Sequence, residues 1–329
     1  MSKTIVITGG CGYIGSHVAR AFKRQDPTNH VYVIDNVRRD HTLRGIDGFL
    51  CADYADDAAM AIYIGAQPDV IVHCAGTSLV GPSILNPAEY WDNNVAKTIK
   101  MLDVVKNLKK KPLILFSSSA SVYGNLQVGA IPETAYTNPI SPYGNTKATI
   151  ERILQDYAVA YGLPSVCFRY FNAAGAEPFD HDLGQEDGAT HIVARALEAS
   201  IAGRTFTLNG TDFNTIDGTC VRDYIHVWDL ARAHVQATEV QLPNTNNVFN
   251  LGAGFGLSNL QIASYVQEEF GLNIAYGARR PGDPDELVAD TRLAQTVLNW
   301  KPEYSTREAI IESARKWYSV KFTEVDSAA

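Results

Sequence analysis

Apolar runs alternate with amphipathic stretches through the first half of the chain. KTIVIT (3–8), VYVID (31–35), VIVHCA (70–75), LILFSS (113–118) and SVCFRY (165–170) are apolar almost without interruption. That pattern predicts short strands covered on both faces. Between them, segments near 13–25, 87–110 and 143–161 carry helical periodicity. In the last, Ile150, Ile153, Leu154, Tyr157 and Tyr161 make one stripe, while Ser141 and Pro142 supply an N-cap and a first-turn proline. The order predicts an α/β fold of Rossmann type, a doubly wound parallel sheet with helices on both faces.

After Asn172 the pattern loosens. AAGAEPFDHDLGQEDGA reads as loop, a helix follows near 190–203, and LNGTDFNTIDGT is rich in Gly, Asp and Asn. A sheet domain over 1–172 and a smaller C-terminal substrate domain over 173–329 are expected. The two interleave, because CVRDYIHVWDLARAHVQATE reads as a strand and helix of a segment, about 219–251, that returns to the sheet.

The first chemical signal sits in the turn after the first strand. TGGCGYIGSH places Gly9, Gly12 and Gly15 where a strand hands over to a helix, the arrangement that lets a pyrophosphate approach helix N–H groups. Asp35 follows Gly15 by twenty residues, at the end of the second strand, where a carboxylate accepts a ribose 2′-hydroxyl and repels a 2′-phosphate. NAD rather than NADP is therefore the expected cofactor. Arg38 and Arg39 come soon after and are read as exposed loop charges.

A second signal lies in SPYGNTK. Tyr143 and Lys147 stand four residues apart on a helix, so both reach one small volume. A free tyrosine ionises near pH 10, too high for a base at neutral pH. A cation ~4 Å away at an effective dielectric of ~20 is worth ~4 kcal/mol before desolvation is subtracted, enough to lower that value substantially. Tyr143 is thus a candidate base beside a nicotinamide, and Ser119, at the end of a sheet strand, is placed to bond the same oxygen.

Net charge narrows the field. At −8, with no basic run beyond KKK at 109–111, nucleic acid and anionic membranes are not expected partners. The opening MSKTIVITGG runs straight into a strand, no apolar run reaches spanning length, and a cytoplasmic protein is expected. Cys11, Cys51, Cys74, Cys167 and Cys220 are odd in number and share no C-x-x-C spacing, so they are read as reduced and mostly buried. The sequence DHD at 180–182 lacks a partnering ligand cluster, and no metal site is expected.

TGGCGYIGSH, WDNNVAKT, FSSSASVYG, SPYGNTK, RYFNAAGA, DGTCVRDYIHVWDLARAH, FNLGAG and RRPGD occur in order along nearly the whole chain. The set resembles the UDP-glucose 4-epimerase (UDP-galactose 4-epimerase) family of extended short-chain dehydrogenases/reductases. The resemblance implies reversible C4 epimerisation of a UDP-hexose through a 4-keto sugar, with NAD retained through turnover. It places Ser119, Tyr143 and Lys147 on the catalytic triad. It places Gly9, Gly12, Tyr13, Ile14, Gly15, Asp35, Asn36, Asp53, Tyr54, Cys74, Ala75, Gly76, Asn94, Tyr170 and Phe171, with Tyr143 and Lys147, at the cofactor. Ser119, Tyr143, Asn172, His191, Arg222, Arg280, Asp283 and Leu287 fall at the UDP-sugar. Read alone, Arg222 is equally a partner for Asp223, Arg280 a surface charge and His191 a helix cap. The helices near 87–110 and 143–161 resemble the pair that forms a four-helix homodimer interface in this superfamily.

The chain departs from the family at Ser78, where a lysine is common beside the nicotinamide ribose, and in DNVRRD, which replaces a polar adenine-side loop. Leu287 is intermediate between the aromatic residue of enzymes restricted to glucose and galactose and the small one of those admitting N-acetylhexosamines. An N-acetylhexosamine, a pentose or a uronate therefore stays open as the sugar. A dehydratase would need an acid pair after the serine, where Ala120 and Ser121 stand; a decarboxylase would need an added base for a C6 carboxylate; a non-catalytic regulator would not need an intact triad.

Overall fold

The computed structural model describes residues 2–126, 129–185, 190–243, 245–280 and 283–328, with side chains to 320. Seven parallel strands form the main sheet: Thr4–Thr8 (β1), His30–Asp35 (β2), Gly48–Cys51 (β3), Val70–His73 (β4), Leu113–Ser119 (β5), Ser165–Tyr170 (β6) and Asn246–Leu251 (β7). Their spatial order is β7-β6-β5-β4-β1-β2-β3, which reverses direction at β1 and β4 and opens a crevice at their carboxyl ends.

Two hydrophobic cores cover the sheet. Ile5 and Ile7 of β1 enter one, with Val18 and Phe22 of helix Tyr13–Gln25 (α1) and Leu230 and Val235 of helix Val227–Ala237. Val6, between them, enters the other, with Tyr63 of helix Asp57–Ala66 (α2), Met101 and Leu102 of helix Lys97–Val105 (α3), and Ile150 and Leu154 of helix Pro142–Tyr161 (α4). This alternation under a continuously apolar run is why the strands could be read from sequence.

Two features differ from the sequence reading. Within 219–251 it is β7 that pairs with β6, while Val221–His226 joins a second sheet of five strands. There it lies beside Gly256–Ser258, Glu286–Ala289 and Asn172–Ala174, and Glu286–Ala289 in turn pairs with Ala130–Ile131. The segment near 87–110 is broken into Pro87–Tyr90, a wide π turn at Trp91–Ala96, and α3, which ends at Val105. The lysines at 109–111 thus lie past the helix, where Lys111 donates back to the carbonyls of Lys106 and Leu108 and Lys110 pairs with Asp69. The helix near 190–203 runs from Ile192 to Ile201 and shares a third core with Ile262, Val266, Ile310 and Tyr318. Of the loop before it, residues 186–189 lie outside those described.

Candidate functional site

A cavity of about 730 Å³ occupies the crevice. Its floor is the glycine turn. Gly9 has φ +69°, and a Cβ there would stand 2.7 Å from the Ala75 backbone; one on Gly15 would stand 2.3 Å from the Gly9 carbonyl. No side chain fits, so the turn packs backbone against backbone and leaves the α1 N-terminus facing the cavity without a side-chain cap. Asp35 lies at the rim, its carboxylate accepting from Cys11 N and Val37 N at 2.9 Å each. A carboxylate so held presents its remaining lone pairs to one place, as a ribose hydroxyl requires.

Around this floor the cavity collects Gly12, Tyr13, Ile14, Asn36, Asp53, Tyr54, Cys74, Ala75, Gly76, Tyr170 and Phe171, the residues expected at the cofactor. Tyr13 OH donates to the Gly175 carbonyl at 2.7 Å, and Asp53 holds Ala55 N at 2.9 Å. Asn94 is the exception. It is buried away from the cavity, accepting from Thr77 N at 2.8 Å and donating to Thr146 Oγ1 at 3.1 Å, while Asn93 takes the lining position. Both residues lie in the π turn Trp91–Ala96. Arg39 also departs from expectation. Arg38 is exposed and pairs with Asp40 at 2.7 Å, but Arg39 lines the cavity and donates to the Cys11 carbonyl at 3.1 Å.

Ser119, Tyr143 and Lys147 meet on one wall. Ser119 ends β5; Tyr143 and Lys147 occupy successive turns of α4, which starts where Ser141 Oγ caps Gly144 N at 3.1 Å. Burial pushes the Tyr143 phenol up to about 12, with the Ser119 hydroxyl beside it pulling the other way. Lys147 is not hydrogen-bonded to that phenol. Lys147 Nζ instead donates to the Ser117 carbonyl at 2.7 Å and sits 4.8 Å over the Phe116 ring and 5.7 Å from the Tyr143 ring centre. Burial brings the Lys147 ammonium down to about 8, so it is still cationic at neutral pH.

Asn172, His191 and Leu287 line the same cavity, and Ser78 stands in it as well. Thr190 and His191 are shared with a second pocket of about 190 Å³ lined by Arg222, Arg280 and Asp283. Arg222 does not pair with Asp223, whose carboxylate is buried and accepts from Ala253 N, Gly254 N and Ala289 N at 2.6, 3.0 and 3.1 Å. His191 is the N-cap residue of helix Ile192–Ile201 by position, but its side chain makes no capping bond. Sequence reasoning missed Arg195 and Asn259, which line this pocket too. Arg195 follows His191 by one helical turn, a spacing that would have found it. Three arginines around a small pocket suit a diphosphate, which each can grip with paired charge-assisted bonds.

Asp180 and Asp182 of the DHD triplet are taken by arginines, Arg24 at 2.6 Å and Arg20 at 3.0 Å. Among the described residues no group of three or more His, Cys, Asp or Glu side chains is placed to hold a metal ion. No helix among them is long and apolar enough to cross a membrane.

Residues 5–252 match the NAD dependent epimerase/dehydratase family. The chain is 40% identical over 325 residues to a UDP-glucose 4-epimerase of Streptococcus mutans, with 96% of each chain covered. It superposes on a UDP-glucose 4-epimerase from Brucella ovis solved with NAD, with a TM-score of 0.89, 39% identity, and 95% and 98% of the two chains covered. A UDP-glucose 4-epimerase from Stenotrophomonas maltophila, solved with NAD and a formylated UDP-arabinopyranose, gives 0.91 at 30% identity over 98% and 99%.

Proposed function

From the premise that the chain belongs to the NAD dependent epimerase/dehydratase family, we propose that it is an NAD-dependent UDP-hexose 4-epimerase interconverting UDP-glucose and UDP-galactose. The observation that carries this reading is the joining of two pockets at His191: one presents Ser119, Tyr143 and Lys147 beside a dinucleotide-shaped crevice, the other gathers arginines.

NAD, when bound, supplies a hydride acceptor that is regenerated within the same turnover. The glycine turn and the α1 N-terminus would hold its pyrophosphate, and Asp35 the adenosine ribose. Tyr143 takes the proton of the sugar 4-hydroxyl, Ser119 bridges that oxygen and the phenol, and Tyr143 returns the proton after the 4-keto sugar has turned over. A phenol near 12 needs help to act as a base at neutral pH. Lys147 is the chain's own cation in that volume, and a unit charge ~6 Å away at an effective dielectric of ~20 is worth ~3 kcal/mol, about two pKa units. Arg222, Arg280 and Arg195 fix the diphosphate, and Asn172 and Leu287 leave the sugar lightly held, as rotation demands.

Dehydration is disfavoured by the two residues after Ser119. Ala120 is buried and apolar, and Ser121 spends its hydroxyl on Ser119 Oγ at 3.0 Å, so no acid stands ready to expel a C6 hydroxyl. Leu287 keeps an N-acetylhexosamine open as a second substrate. Incubation with UDP-glucose, UDP-galactose and their N-acetyl counterparts, with chromatographic separation, tests both readings; conversion of none overturns the first.

A homodimer is part of this proposal. Val159 is 77% exposed, with Trp91 and Tyr161 also open, on the segments expected to pair between subunits, and Ile84 and Leu85, the latter 88% exposed, stand on the short helix Val80–Leu85 just before the first of them. A monomer by light scattering at micromolar concentration would count against it. The five cysteines are free, which accords with a reducing compartment such as the cytoplasm.

A further inference from the structure

Tyr143, Lys147 and Glu151 stand at i, i+4 and i+8, one above another on a single face of α4. The proposed reaction uses the first two. Glu151 lies below them, is only 6% exposed, and does not line the cavity. Its Oε1 accepts from Ser118 Oγ at 2.5 Å and from Arg169 Nε at 3.0 Å, and its Oε2 from Arg169 Nη2 at 2.6 Å. Arg169 Nη1 goes on to Tyr123 OH at 2.9 Å and the Glu133 carbonyl at 3.1 Å, and Tyr123 OH donates to Asn250 Oδ1 at 2.6 Å. The network ties α4 to β5, β6 and β7.

Stability does not account for such a cluster. Removing a carboxylate and a guanidinium from water is expensive, and exchanging a buried pair for apolar residues of similar volume is often neutral or stabilising. What the cluster does fix is a place. Ser118 lies between Ser117, whose carbonyl receives Lys147 Nζ at 2.7 Å, and Ser119, which shares the cavity wall with Tyr143. Residues 117–119 are consecutive in β5, so a bond that holds the Ser118 side chain also restrains the strand backbone that carries both neighbours.

We propose that Glu151 is a positioning residue: through Ser118 and Arg169 it fixes segment 117–119 against α4, so that the Ser117 carbonyl meets Lys147 and the Ser119 hydroxyl meets Tyr143 in one register. The inference rests on the proposed function for its reaction, and on the hydrogen-bond geometry for its placement. Glu151 also adds a negative charge near Lys147. The other groups facing that ammonium are Tyr143 on α4, His73 at the end of β4 and Cys74 after it, Phe116 and the Ser117 carbonyl on β5, and Cys167 on β6. Losing the carboxylate alone would leave the Arg169 guanidinium without its counter-charge.

The test compares Ser118→Ala and Glu151→Gln with wild type in the full-length protein. The measurements are kcat and KM for UDP-hexose against pH, UDP affinity by calorimetry, and melting temperature. Ser118→Ala leaves the Glu151–Arg169 pair intact, so it keeps the test decisive if Glu151→Gln does not fold. Ser118→Ala should lower kcat about 10- to 100-fold, the usual cost of a small misplacement of reacting groups, with KM and UDP affinity within about twofold. Glu151→Gln should lower kcat further and move the alkaline limb of its pH profile to lower pH. Wild-type kcat and pH profile in a folded Ser118→Ala protein would overturn the proposal, as would loss of UDP affinity in step with kcat.

A wild type inactive on every UDP-sugar would instead overturn the functional reading. The placement is then decided by a crystal structure of Ser118→Ala, in which segment 117–119 should move and the Ser117 carbonyl draw away from Lys147 Nζ; a contact unchanged at 2.7 Å refutes the placement.

Discussion

Lys147 Nζ donates to the carbonyl of Ser117 at 2.7 Å, not to the phenol of Tyr143 one turn before it on the same helix. The two side chains share a volume without sharing a hydrogen bond. Lys147 is therefore held by the strand that ends in Ser119, and its effect on Tyr143 is one of charge through a buried medium.

Tyr143→Phe should then leave UDP binding nearly intact while lowering turnover by about 10²–10⁴, the usual worth of general acid–base catalysis. A phenyl ring keeps the packing against Tyr90, whose ring stands edge-on 6.5 Å away. Steady-state kinetics with calorimetric UDP titration checks the split. Near-normal kcat in folded, NAD-loaded protein would sink the mechanism.

Asp35→Ser should weaken NAD binding and raise acceptance of NADP, because the 2′-hydroxyl acceptor and the repelling charge vanish together. Arg39, drawn into the cavity through the Cys11 carbonyl, stands close enough to the glycine turn to favour a 2′-phosphate once that charge has gone. Fluorescence titration with both cofactors measures the ratio. A wild type that already prefers NADP would refute the role given to Asp35.

The parts legible from sequence were those whose signal lies inside one element. KTIVIT and SVCFRY announce buried strands by unbroken apolarity, and Gly9, Gly12, Gly15, Tyr143 and Lys147 announce a shared place on the cavity wall by spacing along one turn or helix. GFLC at 48–51 did not, because β3 is a half-buried edge strand too short to show a period. DAAMAIYIGA hid α2, since apolar residues on every face leave no stripe. Asn93 and Asn94 fall in the π turn, a local widening that a 3.6-residue pattern does not announce. The Glu151–Arg169 pair and the Lys97–Asp53 bridge at 2.6 Å arise where elements distant in sequence cross, and no local pattern encodes that.

The sugar pocket offers a size test. Leu287 is half-buried and lines the cavity near Phe171 and Asn172. Leu287→Tyr should lower the kcat/KM for UDP-N-acetylglucosamine relative to UDP-glucose by about tenfold or more, whereas Leu287→Ser should raise the ratio, since steric discrimination by a pocket wall is worth ~1–3 kcal/mol. Competition between the two substrates in one reaction reads the ratio directly. A ratio indifferent to both changes would place the N-acyl group elsewhere.

Lys147 should also cost the fold stability, and pH exposes that cost without a separate assay of function. Burial brings its ammonium down to about 8 from a free value of 10.5, so the folded chain gives up this proton before the unfolded chain does. Between those values the unfolded state binds more protons, and linkage then requires stability to rise with pH. The whole window spans about 3 kcal/mol, at 1.36 kcal/mol per unit. Lys147→Met removes the titration. It also leaves the Ser117 carbonyl without that donor, an offset that does not depend on pH. The stability of wild type minus that of Lys147→Met, from denaturant melts, should therefore be flat from pH 6 to 7.5 and climb by about 2–3 kcal/mol toward pH 10. A difference that stayed flat, or fell, would mean that burial does not strain this ammonium, and that Lys147 is held by the fold at no cost.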